Sequence, residues 1–327
     1  MKTLAFILFV LPLILLALCC MNGPSEASED TKWVVHEWGV LIREQTTRGT
    51  MLCSPTEQID DLPSFVLRHN QQYSPKRVNH GWDKPVVHCY GPEGLAVSFE
   101  LATPMGRPTA YYPKPECLEK TSTIADYNEM MVYTLTDCSK LKWSGTITAK
   151  PRSNLVETPQ GHWWQLIRKV PGLYFNTDNS SERFLFYEAT AYQEPLMQGK
   201  VTETEVILKN SHKKEIGPVL LLINDGGKHF LRMIKSVPFE GSLKVSRETL
   251  LKEPADDVFV LKSARDCWES FGMTSEEAEA IVDTWKTDIL GRPGFLLISR
   301  MPSEIYAQMF PLTVTPLSTS SFNRKVS

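Results

Sequence analysis

Val86-Val87-His88-Cys89-Tyr90-Gly91-Pro92-Glu93-Gly94-Leu95-Ala96-Val97-Ser98-Phe99-Glu100-Leu101 is the stretch on which the fold class turns. Leu95, Val97, Phe99 and Leu101 project to one side and Ala96, Ser98 and Glu100 to the other, the period of a half-buried strand. Gly91-Pro92-Glu93-Gly94 makes a tight turn, because proline presets one torsion and glycine accepts the positive φ that closes it. With Val86–Tyr90 leading into the turn, the stretch predicts a β-hairpin.

The same pattern extends outward. Short apolar segments cut by proline and glycine predict strands at Val34–Arg43, Met130–Leu135, Leu141–Ala149, Arg183–Tyr192, Glu203–Leu208, Val219–Ile223 and Phe230–Val237, with Asn224-Asp225-Gly226-Gly227 turning between the last two. Ile59–His69 and His162–Val170 carry apolar residues three or four apart and read as short helices. After Pro254 the period changes. Asp256–Phe271 is helical, Gly272 stops it, and Thr274 with Glu276, Glu277 and Glu279 starts a second helix with Ala278, Ile281, Val282 and Trp285 on one face. Phe295–Ile298 and Leu312–Leu317 return to strand. The fold class is therefore mainly β, antiparallel and sandwich-like, with a C-terminal helical pair: a β-rich region 33–254 and a region 255–327 packed on it, α+β overall.

In 327 residues, 42% hydrophobic and 22% charged with a net charge of -3, there is ample chain for a core and no global positive field. Nucleic acid is excluded as an expected partner, since phosphate binding needs a concentrated basic surface.

The first 20 residues predict export. Lys2 precedes an unbroken apolar run, Leu4–Cys20, and a polar tether, residues 21–32, follows. Three fates fit: cleavage after Ser25-Glu26-Ala27 to give a secreted chain, acylation of Cys19 behind Leu16-Ala17-Leu18 as in a lipoprotein, or an uncleaved anchor holding the chain at the cell envelope. The membrane is then a partner through this segment. Setting aside Cys19 and Cys20, the 7 cysteines leave five, an odd number. Cys117 and Cys138 are the candidate disulfide, as both flank a polar connection between strand-like segments. Cys89 and Cys267 read as free and buried.

The chain carries no G-x-G-x-x-G, P-loop, H-E-x-x-H, G-x-S-x-G or EF-hand loop. S-x-x-K occurs at Ser139–Lys142 and Ser211–Lys214, though neither opens a helix. The candidate catalytic residues are His36, Glu37 and Asp83, and His36, His80 and His88 are candidate ligands of a divalent metal, because histidine ligates metals and exchanges protons near neutrality. On a regular strand His36 and Glu37 point to opposite faces and cannot share a site without a bulge. Trp38, Trp82, Tyr111, Tyr112, Trp163 and Trp164 are candidate platforms for an envelope polysaccharide, although Trp163, Leu166 and Ile167 have the spacing of a packed helix face.

Val34-Val35-His36-Glu37-Trp38-Gly39-Val40, with Trp82–Tyr90, Arg183–Tyr187, Glu276–Trp285 and Phe310–Val314, resembles a group of uncharacterised exported bacterial proteins that begin with H-E-W-G, usually H-E-W-G-T-F-T. The chain departs from that pattern at Val40-Leu41-Ile42, and at His88-Cys89, where aromatic or aliphatic residues are usual. The resemblance spans most of the chain after the leader and implies export and a shared fold. It carries no activity. The expected function is a binding or scaffolding role at the cell envelope, with an envelope polysaccharide or protein as partner. The alternative is a metal-dependent hydrolase using the His and carboxylate set.

Overall fold

The computed structural model describes residues 33–41, 61–68, 81–104, 106–127, 131–191 and 196–315. Strands β1 (Val34–Leu41), β2 (Leu67–Arg68), β3 (Gly81–Tyr90), β5 (Gly106–Tyr112) and β10 (Leu185–Ala191) form one sheet in the order β1-β3-β10-β5-β2. A second sheet has the order β17-β4-β7-β8-β9, from β4 (Ala96–Ala102), β7 (Met131–Thr148), β8 (Tyr174–Asn176), β9 (Ser181–Glu182) and β17 (Leu312–Thr315), while β6 (Glu116–Tyr127) also pairs with β7. All these pairings are antiparallel.

The predicted hairpin is instead an arch. The turn at Gly91–Gly94 is present, with both glycines at positive φ, but β3 bonds to β1 and β10 whereas β4 bonds to β7 and β17. Both edges of each strand are thus taken, and the turn itself is held by β7 through Gly94 N–H to the Ile147 carbonyl at 2.7 Å. The chain crosses from one sheet to the other, and the apolar faces meet between them. Val35, Val87, Cys89 and Leu185 from the first sheet pack with Val97, Phe99, Leu101, Trp143 and Phe175 from the second.

The other face of the first sheet is covered by helices. Trp38, Val86, Tyr112 and Phe186 join a core with α1 (Trp163–Lys169), α3 (Asp257–Ser270) and α4 (Ser275–Gly291). That core continues to a sheet β14-β13-β16, made of β13 (Val219–Asp225), β14 (Lys228–Ile234) and β16 (Gly294–Ser299). Leu220 and Leu222 of β13 face the helices, while Val219, Leu221 and Ile223 face a last sheet, β11-β12-β15. This sheet comprises β11 (Met197–Val201), β12 (Glu205–Asn210) and β15 (Ser242–Ser246). Burial on both faces explains the unbroken apolar run of β13. Short helices α2 (Arg247–Leu250) and α5 (Ser303–Met309) complete the described elements. The chain from Trp33 onward is one compact unit, into which β16 and β17 are built.

Two further expectations change. The two strands expected at Met130–Leu135 and Leu141–Ala149 are, over the described residues, the single strand β7 (Met131–Thr148), because the polar Thr136–Lys140 link stays extended against β6. Within the predicted helix Ile59–His69, the described residues form a turn, closed by Val66 N–H to the Pro63 carbonyl at 3.0 Å, and then β2. Proline has no N–H to give a helix and here initiates the turn instead. Among the described residues no helix is long and apolar enough to cross a membrane. The run Leu4–Cys20, with Cys19, lies outside them.

Candidate functional site

His36 of β1 lies directly across from His88 of β3, so both rings share the face that looks toward the helices. Two residues on, Trp38 occupies the same face and stacks on His88 with centroids 5.8 Å apart and planes 13° apart. Tyr90, two residues after His88, is on this face as well, 5.0 Å from the His36 ring.

Against this face the sequence sets the start of α4. Thr274 is the N-cap, and Glu277 closes a capping box: its N–H donates to Thr274 Oγ1 at 3.2 Å and its Oε2 accepts from the Thr274 N–H at 2.9 Å. The fully buried carboxylate then reaches the sheet. His36 Nδ1 lies 3.0 Å from Oε1 and 3.1 Å from Oε2, and Tyr90 OH donates to Oε1 at 2.6 Å. Burial alone would raise the Glu277 pKa, but the His36 hydrogen bond, the nearby histidines and the Tyr90 hydroxyl hold it below the usual carboxylate range. Burial and the adjacent Glu277 charge push the Tyr90 hydroxyl the other way, upward.

Chemically, Nδ1–H donated to a carboxylate fixes the His36 tautomer and leaves Nε2 as the basic nitrogen. Nε2 has no hydrogen-bond partner among the described residues, and the side chain is 11% exposed. His88 is different. It is wholly buried, neither ring nitrogen has a partner of hydrogen-bond geometry, and burial lowers its pKa to about 4. Attraction to Glu277 and the proximity of the Ile167 carbonyl oppose that shift without overcoming it. His88 is therefore a neutral ring at neutral pH.

Glu37 points to the other face of β1. It is fully buried between the two large sheets, where the hydroxyls of Tyr187 and Tyr306 both donate to Oε1, the latter at 2.8 Å, and lie 2.6 Å from each other. The alternation of β1 thus separates His36 from Glu37, and the one irregularity in its pairing falls beyond them, between Trp38 and Val40. Gly39 sits at that irregularity, where a Cβ would come within 2.8 Å of the Pro85 Cα. Each residue of His36-Glu37-Trp38-Gly39 accordingly has a different neighbour: a helix cap, two tyrosines, a buried imidazole and a proline backbone.

The remaining candidates disperse. Trp38, Tyr112, Trp163 and Trp164 are buried and Tyr111 is half-buried, so these rings pack and offer no free face to a sugar. Trp164, fully enclosed by Phe65, Tyr112, Phe184 and Phe186, donates its Nε1–H to Glu182, which also pairs with Arg168 at 2.7 Å. The platform expectation is corrected for Trp38, Tyr112, Trp163 and Trp164, whose rings from β1, β5 and α1 are built into the core beneath the helices. His80 and the side chains of Trp82 and Asp83 lie outside the described residues. Among the described residues no three His, Cys, Asp or Glu side chains converge as a metal-binding group. Cys117 and Cys138 form a disulfide, and Cys89 and Cys267 are free and buried.

Sequence reading missed Glu277, Tyr90, Tyr187 and Tyr306 as partners of the H-E-W-G strand. The Thr274-x-x-Glu277 spacing marked a helix start and nothing more, since the second use of that carboxylate is a tertiary contact. The chain matches no protein-family model and no curated protein.

Proposed function

We propose that the chain is an exported, membrane-tethered protein of the cell envelope with a binding or scaffolding role. The observation that carries this reading is the division of His36 and Glu37 between two interior networks on opposite faces of β1. Side chains used in this way tie the sheet to a helix cap and to the C-terminal helix, which serves rigidity rather than turnover. Export is supported by the charged start and apolar run of residues 2–20, and by a disulfide, which persists in oxidising compartments. Two measurements test the proposal. A reporter fused behind residue 32 should appear outside the cytosol, with mass spectrometry of the mature N-terminus identifying cleavage, acylation or retention. His36→Ala should lower stability and abolish no measurable turnover.

A divalent-metal hydrolase is the second reading, favoured by one observation: on the same sheet face, His36 Nε2 and both nitrogens of His88 have no hydrogen-bond partner among the described residues. The described residues fit a metal poorly, because both oxygens of Glu277 are already bonded to His36, Tyr90 and Thr274. Elemental analysis of the purified protein, with His88→Leu as control, decides it: stoichiometric metal lost in the variant would support this reading over the first.

A further inference from the structure

Beyond His229, strand β14 leaves one edge unpaired among the described residues. Its register with β13 runs without a bulge from Val219↔Ile234 to Asp225↔Lys228, so alternate residues turn their backbone groups toward β13 and away from it. His229 belongs to the outward set, since its carbonyl accepts from the Ala255 N–H at 2.7 Å. By the same alternation Leu231 and Met233 present N–H and C=O groups outward, and no backbone group among the described residues meets them.

Those groups look into a groove. Two hollows of about 340 and 260 Å³ follow one another along this edge and share Arg232. Leu231–Ser236 form one wall, and Leu243–Val245, α2 and the start of α3 form the other. The short bridge at Ala255 already adds one residue to β14 at the groove's end, and the remaining strand edge, Leu231 to Ile234, is four residues long, about 13 Å of extended chain. The charge is one-sided. Arg232, Lys235, Lys244 and Lys252 line the groove against the single acid Glu253. Lys244 is paired with Glu205 at 3.1 Å, while Arg232, Lys235 and Lys252 have no anionic partner among the described residues. Met233 and Phe259, 43% and 54% exposed, add apolar surface. Cations on an open edge discourage pairing between two copies of the same edge and favour an acidic strand.

We propose that this groove binds an extended acidic segment of a partner protein by strand addition to β14. The incoming backbone bonds to Leu231 and Met233, and its carboxylates face Arg232, Lys235 and Lys252. The inference rests on the binding role proposed above, giving it a surface and a partner chemistry, but not on the compartment.

The test titrates the purified protein into a fluorescein-labelled peptide of about six residues alternating Glu and Val, the span of the open strand edge with a residue at each end. Saturable binding is expected, weakened at least about tenfold by raised salt and by Arg232→Glu with Lys235→Glu, two exposed changes whose circular dichroism should match the parent. A peptide with Lys in place of Glu, and one N-methylated on alternate amides, should fail to saturate. Absence of saturable binding by the acidic peptide, equal binding by the lysine peptide, or equal binding by the N-methylated peptide would each overturn the proposal. Export is read separately from the reporter, so a failed titration on an exported protein removes the groove and leaves the compartment standing.

Discussion

Glu277 holds His36, a residue 241 positions away, with both oxygens of the carboxylate whose Oε2 also caps its own helix. Breaking one side leaves the other buried and partly unsatisfied. Glu277→Ala and His36→Ala should each lower the unfolding free energy by about 2–4 kcal/mol. The double variant should lose less than the sum, by about 1 kcal/mol or more. Urea midpoints measure this, and strictly additive losses would show that the pair does not act together.

Tyr306→Phe removes one donor to Glu37 on the far face of β1 and should cost about 1 kcal/mol. Because His36 and Glu37 share no hydrogen-bond partner among the described residues, combining it with His36→Ala should give losses that add within about 0.5 kcal/mol. A large coupling between them in the same denaturation series would contradict the separation of the two networks.

Stability should depend on pH through His88. The native ring, lowered to about 4 from 6.5, stays neutral where the unfolded chain takes up a proton. Its contribution is therefore complete above the unfolded value and is lost as pH falls from 6.5 to 4, a change of about 3 kcal/mol. The depressed Glu277 pKa adds a loss in the same direction at still lower pH, below the ordinary carboxylate value. His88→Leu removes two unpartnered nitrogens and should flatten the profile between neutral pH and the native His88 value while raising stability at its acid end. An unchanged slope would rule out His88 as its source.

Cys89 and Cys267 have thiols pushed up to about 12 by burial, so the thiolate is scarce at neutral pH. Alkylation followed by peptide mapping should find both unmodified in the native protein and both modified after unfolding. Reducing Cys117–Cys138, which closes a loop with a separation of 21, should cost about 3 kcal/mol. Native labelling of either buried thiol would show that its cover opens.

Gly39→Ala places a methyl group 2.8 Å from the Pro85 Cα, where backbone rather than a flexible side chain must give way. A loss of about 1–3 kcal/mol is expected from overpacking of this kind. Thermal denaturation checks it, and a neutral result would mean that β1 and β3 can part locally at the bulge.

Much of the frame was legible in residue periods. The alternation of Leu95–Leu101, the Asn224–Gly227 turn, the helical stretch from Asp256 with its stop at Gly272, and the start at Thr274 act within a few residues, and the strands, hairpin and helices they predict are present. Period two also separated His36 from Glu37 before any partner was known. What failed was choice of partner. Gly91–Gly94 reads equally as a hairpin turn or an arch, because the decision depends on which distant strands occupy the edges of β3 and β4. Glu277, Tyr187 and Tyr306 were invisible for the same reason, their bonds to β1 spanning 150 to 269 residues. Trp163 carried its signal in plain view, since its helical spacing with Leu166 and Ile167 marks a packed face.

The tie between Glu37 and Tyr306 joins the opening strand to one of the final helices. During synthesis, then, β1 emerges long before α5, and until that helix follows, Tyr187 alone of the two tyrosines is there to meet the Glu37 carboxylate. The Glu37 contact set is complete only once residues 37, 187 and 306 have all been made, so the order of synthesis sets the order in which this tie can form.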